Sequence, residues 1–393
     1  MRMWADIAGK LAEGLDNISR APLKPQQRMF ILTNNLIPSL YHQLVLTATS
    51  KKYLKRLDRS VRAAVRSWLK LPNDTPKAYF HAKIFDGGLG IVTLEHQVPL
   101  MKIKRIDRLW GSDDPVICEM LSTDGAESLL ARQREPTRYR EVQITNRESL
   151  RVALATDLHS SVDGRGLRES DLVPHQHRWV NQASGLLSGA NYIGAVKVRG
   201  NLLPSAVRAA RGRPHMSVLC GACRRPGSLG HILQVCPRTH ASRVARHDRL
   251  ATLVQSAAGK AGWSCIREPA IPTLAGIRRP DLIFYHQDRS TYVLDVTVVA
   301  DNAVLHEVHE RKVRYYDVPD IRNWIALNIS GNEVLFSSVT LSWRGLMARA
   351  SADTLCSDLV LGWQVLSLLS AVTCERSLWI WQHFHRSGFV LRG

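Results

Sequence analysis

Residues 53–71 place apolar side chains at Leu54, Leu57, Val61, Val65, Trp68 and Leu69, the three-and-four spacing of one helical face. Arg56, Arg59, Arg62 and Arg66 fall on the other faces, so the pattern predicts an amphipathic helix that packs inward and turns guanidinium groups outward. A second helix is predicted over 250–261. The segment 355–385 carries Leu359, Trp363, Leu366 and Leu369 at the same spacing and reads as covering helices. Between them the period changes to two. Residues 282–285 and 291–299 are short β-rich runs separated by His286-Gln287-Asp288-Arg289-Ser290, which predicts a hairpin. Residues 302–316 return to helical spacing, with Leu305, Val308, Lys312 and Tyr315 on one face. Two further strands are expected over 321–329 and 333–339, with Gly331 in the turn between them. Residues 111–180 have little periodicity and read as a loosely packed connector.

Charge changes the picture. The 393 residues, enough for two or three domains, carry a formal charge of +19, a field that favours a polyanionic partner, nucleic acid first. Residues 1–110 look helical and basic, extended by Lys102, Lys104, Arg105 and Arg108. No apolar run reaches membrane-spanning length, and Asp6, Lys10 and Glu13 interrupt any secretion signal at the start. The chain is therefore expected to be intracellular, with its seven cysteines reduced or metal-bound. The glycine-rich segment 85–90 lacks the lysine and hydroxyl of a phosphate loop and reads as a turn.

The hairpin holds the candidate chemistry. If it is centred on Asp288, paired positions sum to 576 and Asp281 lies opposite Asp295. Two carboxylates in that relation repel unless a cation sits between them. Mg²⁺ is the obvious candidate, being commonly held by one or two carboxylates plus waters and substrate phosphate. Lys312 lies on the packed side of its helix, where a charged group needs a partner. Two acids and a lysine match a PD-(D/E)xK nuclease constellation, although position 297, where that motif has lysine, is threonine. Glu268 is a further candidate acid. The alternative is that Asp281 caps a turn, Asp295 pairs with an arginine and Lys312 reaches solvent.

A second constellation is Cys220-x2-Cys223-x7-His231-x4-Cys236, four ligands within 17 residues, suited to a structural tetrahedral zinc. The first pair would sit on a tight turn and the second on a short helix, with His240 a possible substitute. Arg224, Arg225, Arg238, Arg243, Arg246 and Arg249 would give this knuckle a nucleic-acid-facing charge. Trp379, Trp381 and Phe384 could stack on bases or cap the core.

Taken together these residues resemble the C-terminal half of the polyprotein of site-specific non-long-terminal-repeat retrotransposons of the restriction-like-endonuclease clade, typified by the R-two elements of ribosomal RNA genes. The resemblance rests on Asn17-Ile18-Ser19-Arg20-Ala21-Pro22-Leu23-Lys24-Pro25-Gln26-Gln27-Arg28 and Asp86-Gly87-Gly88-Leu89-Gly90-Ile91, which look like the segment after the polymerase palm. It also rests on the cysteine cluster continued by Cys236-Pro237-Arg238-Thr239-His240 and Arg246-His247-Asp248, and on Arg279-Pro280-Asp281, Asp295 and Lys312 with Tyr315 or Tyr316. It implies a multidomain chain. Residues 1–110 would be a mainly α reverse-transcriptase thumb-like region, 111–180 a connector, 181–250 a small CCHC zinc-knuckle region and 251–393 an α/β PD-(D/E)xK restriction-like endonuclease domain. It implies Asp281, Asp295, Lys312, Glu268 and Tyr315 as catalytic residues, with Mg²⁺ on Asp281 and Asp295. It implies structural Zn²⁺ on Cys220, Cys223, His231 and Cys236. The family's lysine is likewise displaced onto a helix, which accounts for Thr297. Target DNA and element RNA would be the partners, and the nucleus the site of action. No Tyr-x-Asp-Asp sequence of a polymerase palm occurs, so the chain is expected to be a truncated form beginning at the thumb, without reverse transcription of its own. A non-catalytic nucleic-acid-binding remnant is the alternative.

Overall fold

The computed structural model describes residues 5–123, 125, 137–182, 185–329 and 333–386. These form two compact units, Met1–Arg165 with Asn181–Ala183, and Gly166–Val180 with Ser184–Gly393. The fold is mainly helical with small mixed sheets.

The first unit is built from α1 (Ala5–Arg20), α2 (Ile37–Leu46), α3 (Lys51–Trp68) and α4 (Leu94–Trp110), followed by the two-stranded ribbon β1 (Thr137–Tyr139) and β2 (Val142–Ile144) and by α5 (Arg147–Ser160). Helix α3 buries Leu54, Leu57, Val61, Val65 and Trp68, the face its spacing predicts, while Lys52, Lys55, Arg56 and Arg59 are exposed. Its Ser50 N-cap accepts a hydrogen bond from the Tyr53 N–H at 3.2 Å. Asp58 breaks the polar-outward rule: it is buried because it caps α4 from outside that helix. Its Oδ1 accepts from the Leu94 N–H at 2.8 Å, and its Oδ2 from the Glu95 N–H at 3.0 Å and the Thr93 hydroxyl at 2.9 Å. The 85–90 segment is a turn, as expected. Gly88 is required there, since a Cβ would stand 2.2 Å from the Ala82 carbonyl oxygen.

The expected connector is not loose where it is described. Leu150, Leu154 and Leu158 of α5 are buried in the first unit, and Trp179 is buried in the second. The Leu150/Leu154/Leu158 spacing is helical, but it is diluted by charged residues and short. The run 126–136 lies outside the described residues.

The second unit contains α6 (Gly189–Arg199), α7 (Leu229–Gln234), α8 (His240–Lys260), strands β3 (Ser264–Arg267), β4 (Ile271–Thr273), β5 (Gly276–Arg278), β6 (Leu282–His286) and β7 (Arg289–Val299), then α9 (Leu305–Tyr316), α10 (Pro319–Asn328), β8 (Val334–Ser342) and α11 (Gln364–Arg386). The main sheet has the order β3-β6-β7-β8; the first three strands are antiparallel and β8 runs parallel to β7. One sheet face packs Leu282, Phe284, Leu294 and Val296 against Leu250 and Val254 of α8 and Leu366 and Leu369 of α11. The other packs Ile283 and Val293 against Tyr316, Ile321 and Ile325. A four-stranded sheet covered on both faces is thus the frame that holds the hairpin.

Two elements differ from expectation. Residues 321–329 were expected as a strand, but Pro319–Asn328 is a helix. Pro319 sits at the first helical position, where its fixed φ fits, Asp320 follows in the first turn, and Ile321 and Ile325 are buried four residues apart. The β-branched content pointed to a strand; the spacing decided for a helix. Gly331 lies outside the described residues. The hairpin turn is also tighter than expected, with His286 paired to Arg289 across two residues.

Candidate nuclease site and zinc knuckle

The hairpin register matches the expected one at the end nearest the two carboxylates. Leu282 pairs with Leu294 and Ile283 with Val293, both summing to 576, while the turn pair His286–Arg289 sums to 575. A bulge between Phe284 and His286 reconciles the two. Extending the register by one position sets Asp281, just before β6, opposite Asp295 in the middle of β7. The next strand continues the row, since the Glu268 N–H donates to the Asp281 carbonyl at 3.1 Å.

Each acid is held differently. Asp281 Oδ2 accepts from the Val296 N–H at 2.6 Å and lies 3.0 Å from His247 Nε2 on α8. This hydrogen bond to Asp281 holds the His247 imidazolium up to about 9, against its burial, with the Asp281 charge adding to it. Asp295 is 4% exposed. Lys312 Nζ lies 3.2 Å from its Oδ1, as a hydrogen bond, and 3.1 Å from its Oδ2. Burial pushes the Asp295 carboxyl up, Lys312 pulls it down, and the nearby Asp281 charge adds to the rise; the net direction is upward. Oδ2 is buried, with the Lys312 ammonium beside it. A buried carboxylate across from a second one, with a single ammonium between them and solvent, fits a divalent cation held by oxygens.

Helix α9 brings Lys312 to the acids, as its spacing predicts. It does not bring Tyr315, which is half exposed, packs edge-on to Tyr316 at 4.9 Å between ring centroids, and carries the Arg278 guanidinium over its ring at 4.5 Å. Tyr316 takes the inner place. It donates to the Arg279 carbonyl at 3.0 Å, and burial and the Asp295 and Asp281 charges raise its hydroxyl. A helical step of about 100° per residue separates the two tyrosines; Leu305, Val308, His309 and Tyr316 are the buried residues of the helix, with Lys312 half-buried beside them. Glu268 is displaced from its expected role. Its backbone is left-handed at φ 49°, its contact with Asp281 is through the N–H, and its half-exposed carboxylate faces Arg267 at 3.5 Å. Thr297 pairs with Thr340 in the β7–β8 register. His247 joins the site from 34 positions before Asp281; its sequence signal is its place in Arg246-His247-Asp248, ten residues past Cys236.

The knuckle forms as expected. Leu219 and Pro226 close a small antiparallel bridge, the Cys220 N–H donates to the Arg225 carbonyl at 2.7 Å, and Arg224 takes the left-handed corner at φ 61°. Ser228 caps α7, accepting from the His231 N–H at 3.0 Å, and this aims His231 at the turn. Cys220 Sγ and Cys236 Sγ are 3.9 Å apart, Cys223 Sγ and His231 Nε2 3.2 Å, and all four donor atoms lie within 4.8 Å of one another. Tetrahedral zinc with these donors requires separations of about 3.5 to 3.8 Å, so the set fits the ion. All seven cysteines are free thiols. His240 begins α8 and is exposed rather than in the cluster. Arg224, Arg225 and Arg249 are exposed, but Arg246 is not available as surface charge. It is 2% exposed, donating to Ser377 Oγ at 3.0 Å and to Gln234 Oε1 at 2.9 Å. Among the described residues no helix is long and apolar enough to cross a membrane.

No family model matches the chain. It is 33% identical over 396 residues to the retrovirus-related Pol polyprotein from type-2 retrotransposable element R2DM of Drosophila melanogaster, covering 99% of this chain and 37% of that protein. Its identity to the Pol polyprotein from type-1 retrotransposable element R2 of Nasonia vitripennis is 34% over 344 residues, 86% of this chain and 32% of the relative. With the Popillia japonica counterpart it is 32% over 347 residues, 87% of this chain and 71% of the relative. The chain thus spans about a third of the length of the first two.

Proposed function

The chain belongs to the Pol polyprotein family of R2 retrotransposable elements, and from that premise we propose that its second unit is a metal-dependent DNA endonuclease that nicks target DNA to prime reverse transcription. The observation that carries this is the contact of Lys312 with both oxygens of Asp295, at 3.2 and 3.1 Å, where the register extended by one position sets Asp281, just before β6, opposite Asp295. The sheet covered by helices on both faces supports a PD-(D/E)xK type of fold.

Asp281 and Asp295 would hold Mg²⁺. When bound, such an ion polarises the scissile phosphate and acidifies a water. The protein's own groups do the rest. His247 and the Val296 N–H fix the direction of the Asp281 carboxylate. Tyr316 ties the Arg279 carbonyl, two residues before Asp281, to α9. The Lys312 ammonium, one third exposed, can orient the attacking water and offset charge developing on the phosphate. Cys220, Cys223, His231 and Cys236 would hold a structural zinc with no open position. The exposed basic face of α3 and Arg224, Arg225 and Arg249 near the knuckle are proposed to contact the phosphates of target DNA and element RNA, in the nucleus.

The test is nicking of supercoiled plasmid by the whole chain with Mg²⁺, beside Asp295→Ala and Lys312→Ala. Nicking abolished by both substitutions is the expected result. Absence of nicking, or nicking indifferent to them, would leave a zinc-stabilised nucleic-acid-binding chain instead.

A further inference from the structure

Helix α9 makes a second polar contact with the sheet, one turn before Lys312. His309 is 7% exposed, and its Nδ1 lies 2.9 Å from Ser338 Oγ and 3.2 Å from Ser351 Oγ. The direction of these bonds can be read from their neighbours. The Ser351 hydroxyl donates to the Ser338 carbonyl at 2.6 Å and accepts from the Thr340 N–H at 3.0 Å, so toward His309 it is an acceptor. Ser338 Oγ has Thr340 Oγ1 at 2.8 Å as a second partner. Nδ1 is therefore the protonated nitrogen of a neutral ring, in keeping with burial, which lowers the basicity of His309.

The placement of this bond gives it meaning. Ser338 on β8 is the register partner of Asp295 on β7. In a paired parallel register both side chains face the same side of the sheet, and α9 covers that side. His309 and Lys312 are three residues apart and share a helical face. The helix therefore grips two adjacent strands at one level, His309 on β8 and Lys312 on β7. A lysine side chain is long and flexible, and a third of Lys312 is in solvent. Where its ammonium stands depends on the depth and rotation at which α9 sits; Leu305, Val308 and Tyr316 pack the helix, and the His309 bond is its polar tie to β8.

We propose that His309 is a positioning residue, which through Ser338 and Ser351 holds α9 at the height where Lys312 meets Asp295. Its consequence for catalysis rests on the nuclease reading above; its consequence for Lys312 does not. The test compares His309→Ala and His309→Asn with the unmodified chain, all zinc-loaded. Two quantities are measured: the rate at which the Lys312 amine is reductively methylated, read by mass spectrometry, and the rate of plasmid nicking at saturating Mg²⁺. His309→Ala is expected to release Lys312, raising its methylation several-fold relative to other lysines, and to slow nicking by about 10²-fold, the scale on which a displacement of about 1 Å acts. Asn, which presents a donor near the Nδ1 position, should recover most of both. Should His309→Ala fail to fold, Ser338→Ala removes the shorter of the two bonds with a smaller cavity and is expected to act in the same direction, more weakly. Unchanged methylation of Lys312 in a folded variant overturns the proposal. If the unmodified chain does not nick, the nuclease reading falls, and methylation decides the role of His309 by itself.

Discussion

Replacing Lys312 with methionine keeps its length and removes its charge, which tests whether the Lys312–Asp295 pair is structural, catalytic or both. At 3.1 Å the gross attraction is about 5 kcal/mol for an effective dielectric of about 20. The net loss is smaller, because Lys312 is one third exposed while Asp295 is nearly all buried. Breaking such a half-screened pair should cost about 1 to 3 kcal/mol, most of it the penalty of an uncompensated carboxylate. Adding Asp295→Asn removes that charge too, so the double variant should regain most of the stability. Nicking behaves otherwise: it should fall by about 10²- to 10³-fold in the single variant, as for loss of one preorganised charge, and stay down in the double. Hydrogen exchange of the β7 amides under native conditions reports the stability of the second unit without interference from the first. Wild-type nicking by Lys312→Met would refute the catalytic role. Equal destabilisation of the single and double variants would refute the electrostatic argument.

Other outcomes follow from the same geometry. Tyr316→Phe removes the bond to the Arg279 carbonyl and should lower nicking several-fold, whereas Tyr315→Phe should leave it within about twofold, single-turnover rates being the measure. Loading Co²⁺ in place of zinc should give the visible absorption of a tetrahedral S₃N site, and Cys236→Ser should weaken it; an octahedral spectrum would contradict the assigned ligands. The first unit should lose stability in mild acid. Burial holds His81 down to about 4, with the Ile91 carbonyl at Nδ1 and the Arg62 guanidinium at Nε2. The unfolded chain therefore takes up this proton from pH 6.5 downward while the folded one resists, so stability is full above 6.5 and declines toward 4, by up to about 3 kcal/mol. Urea unfolding of the unmodified chain against His81→Gln isolates this ring from His96 and Asp58, and an identical pH slope in both would disprove it.

Much of this was legible where period and chemistry coincide. The apolar stripe of α3 and the spacing of Cys220, Cys223, His231 and Cys236 are local patterns, and local patterns survive folding. The pairing of Asp281 with Asp295 was legible because a hairpin converts sequence distance into spatial contact by simple arithmetic. His247 was not, since a helix before the sheet delivers it to Asp281 and no spacing rule spans that path. The sequence leaves Tyr315 or Tyr316 open beside Lys312, and one helical step of about 100° is what puts Tyr316 on the inner side. Glu268 sat in the right row, but its left-handed backbone turned the side chain outward, which composition does not encode. Residues 321–329 show β-branched propensity overridden by packing of Ile321 and Ile325.

The bulge between Phe284 and His286 bears on how such a hairpin can change over time. A single-residue insertion in an ordinary hairpin moves every later side chain to the opposite face. Here the turn end counts to one sum and the carboxylate end to another, with the slack taken up between them. Length changes near residues 285–290 can therefore be absorbed without shifting Asp281 against Asp295. Related sequences should accumulate their gaps in that short tip, while from Leu282 down to the acids, and from Thr291 onward, the residue count should be fixed.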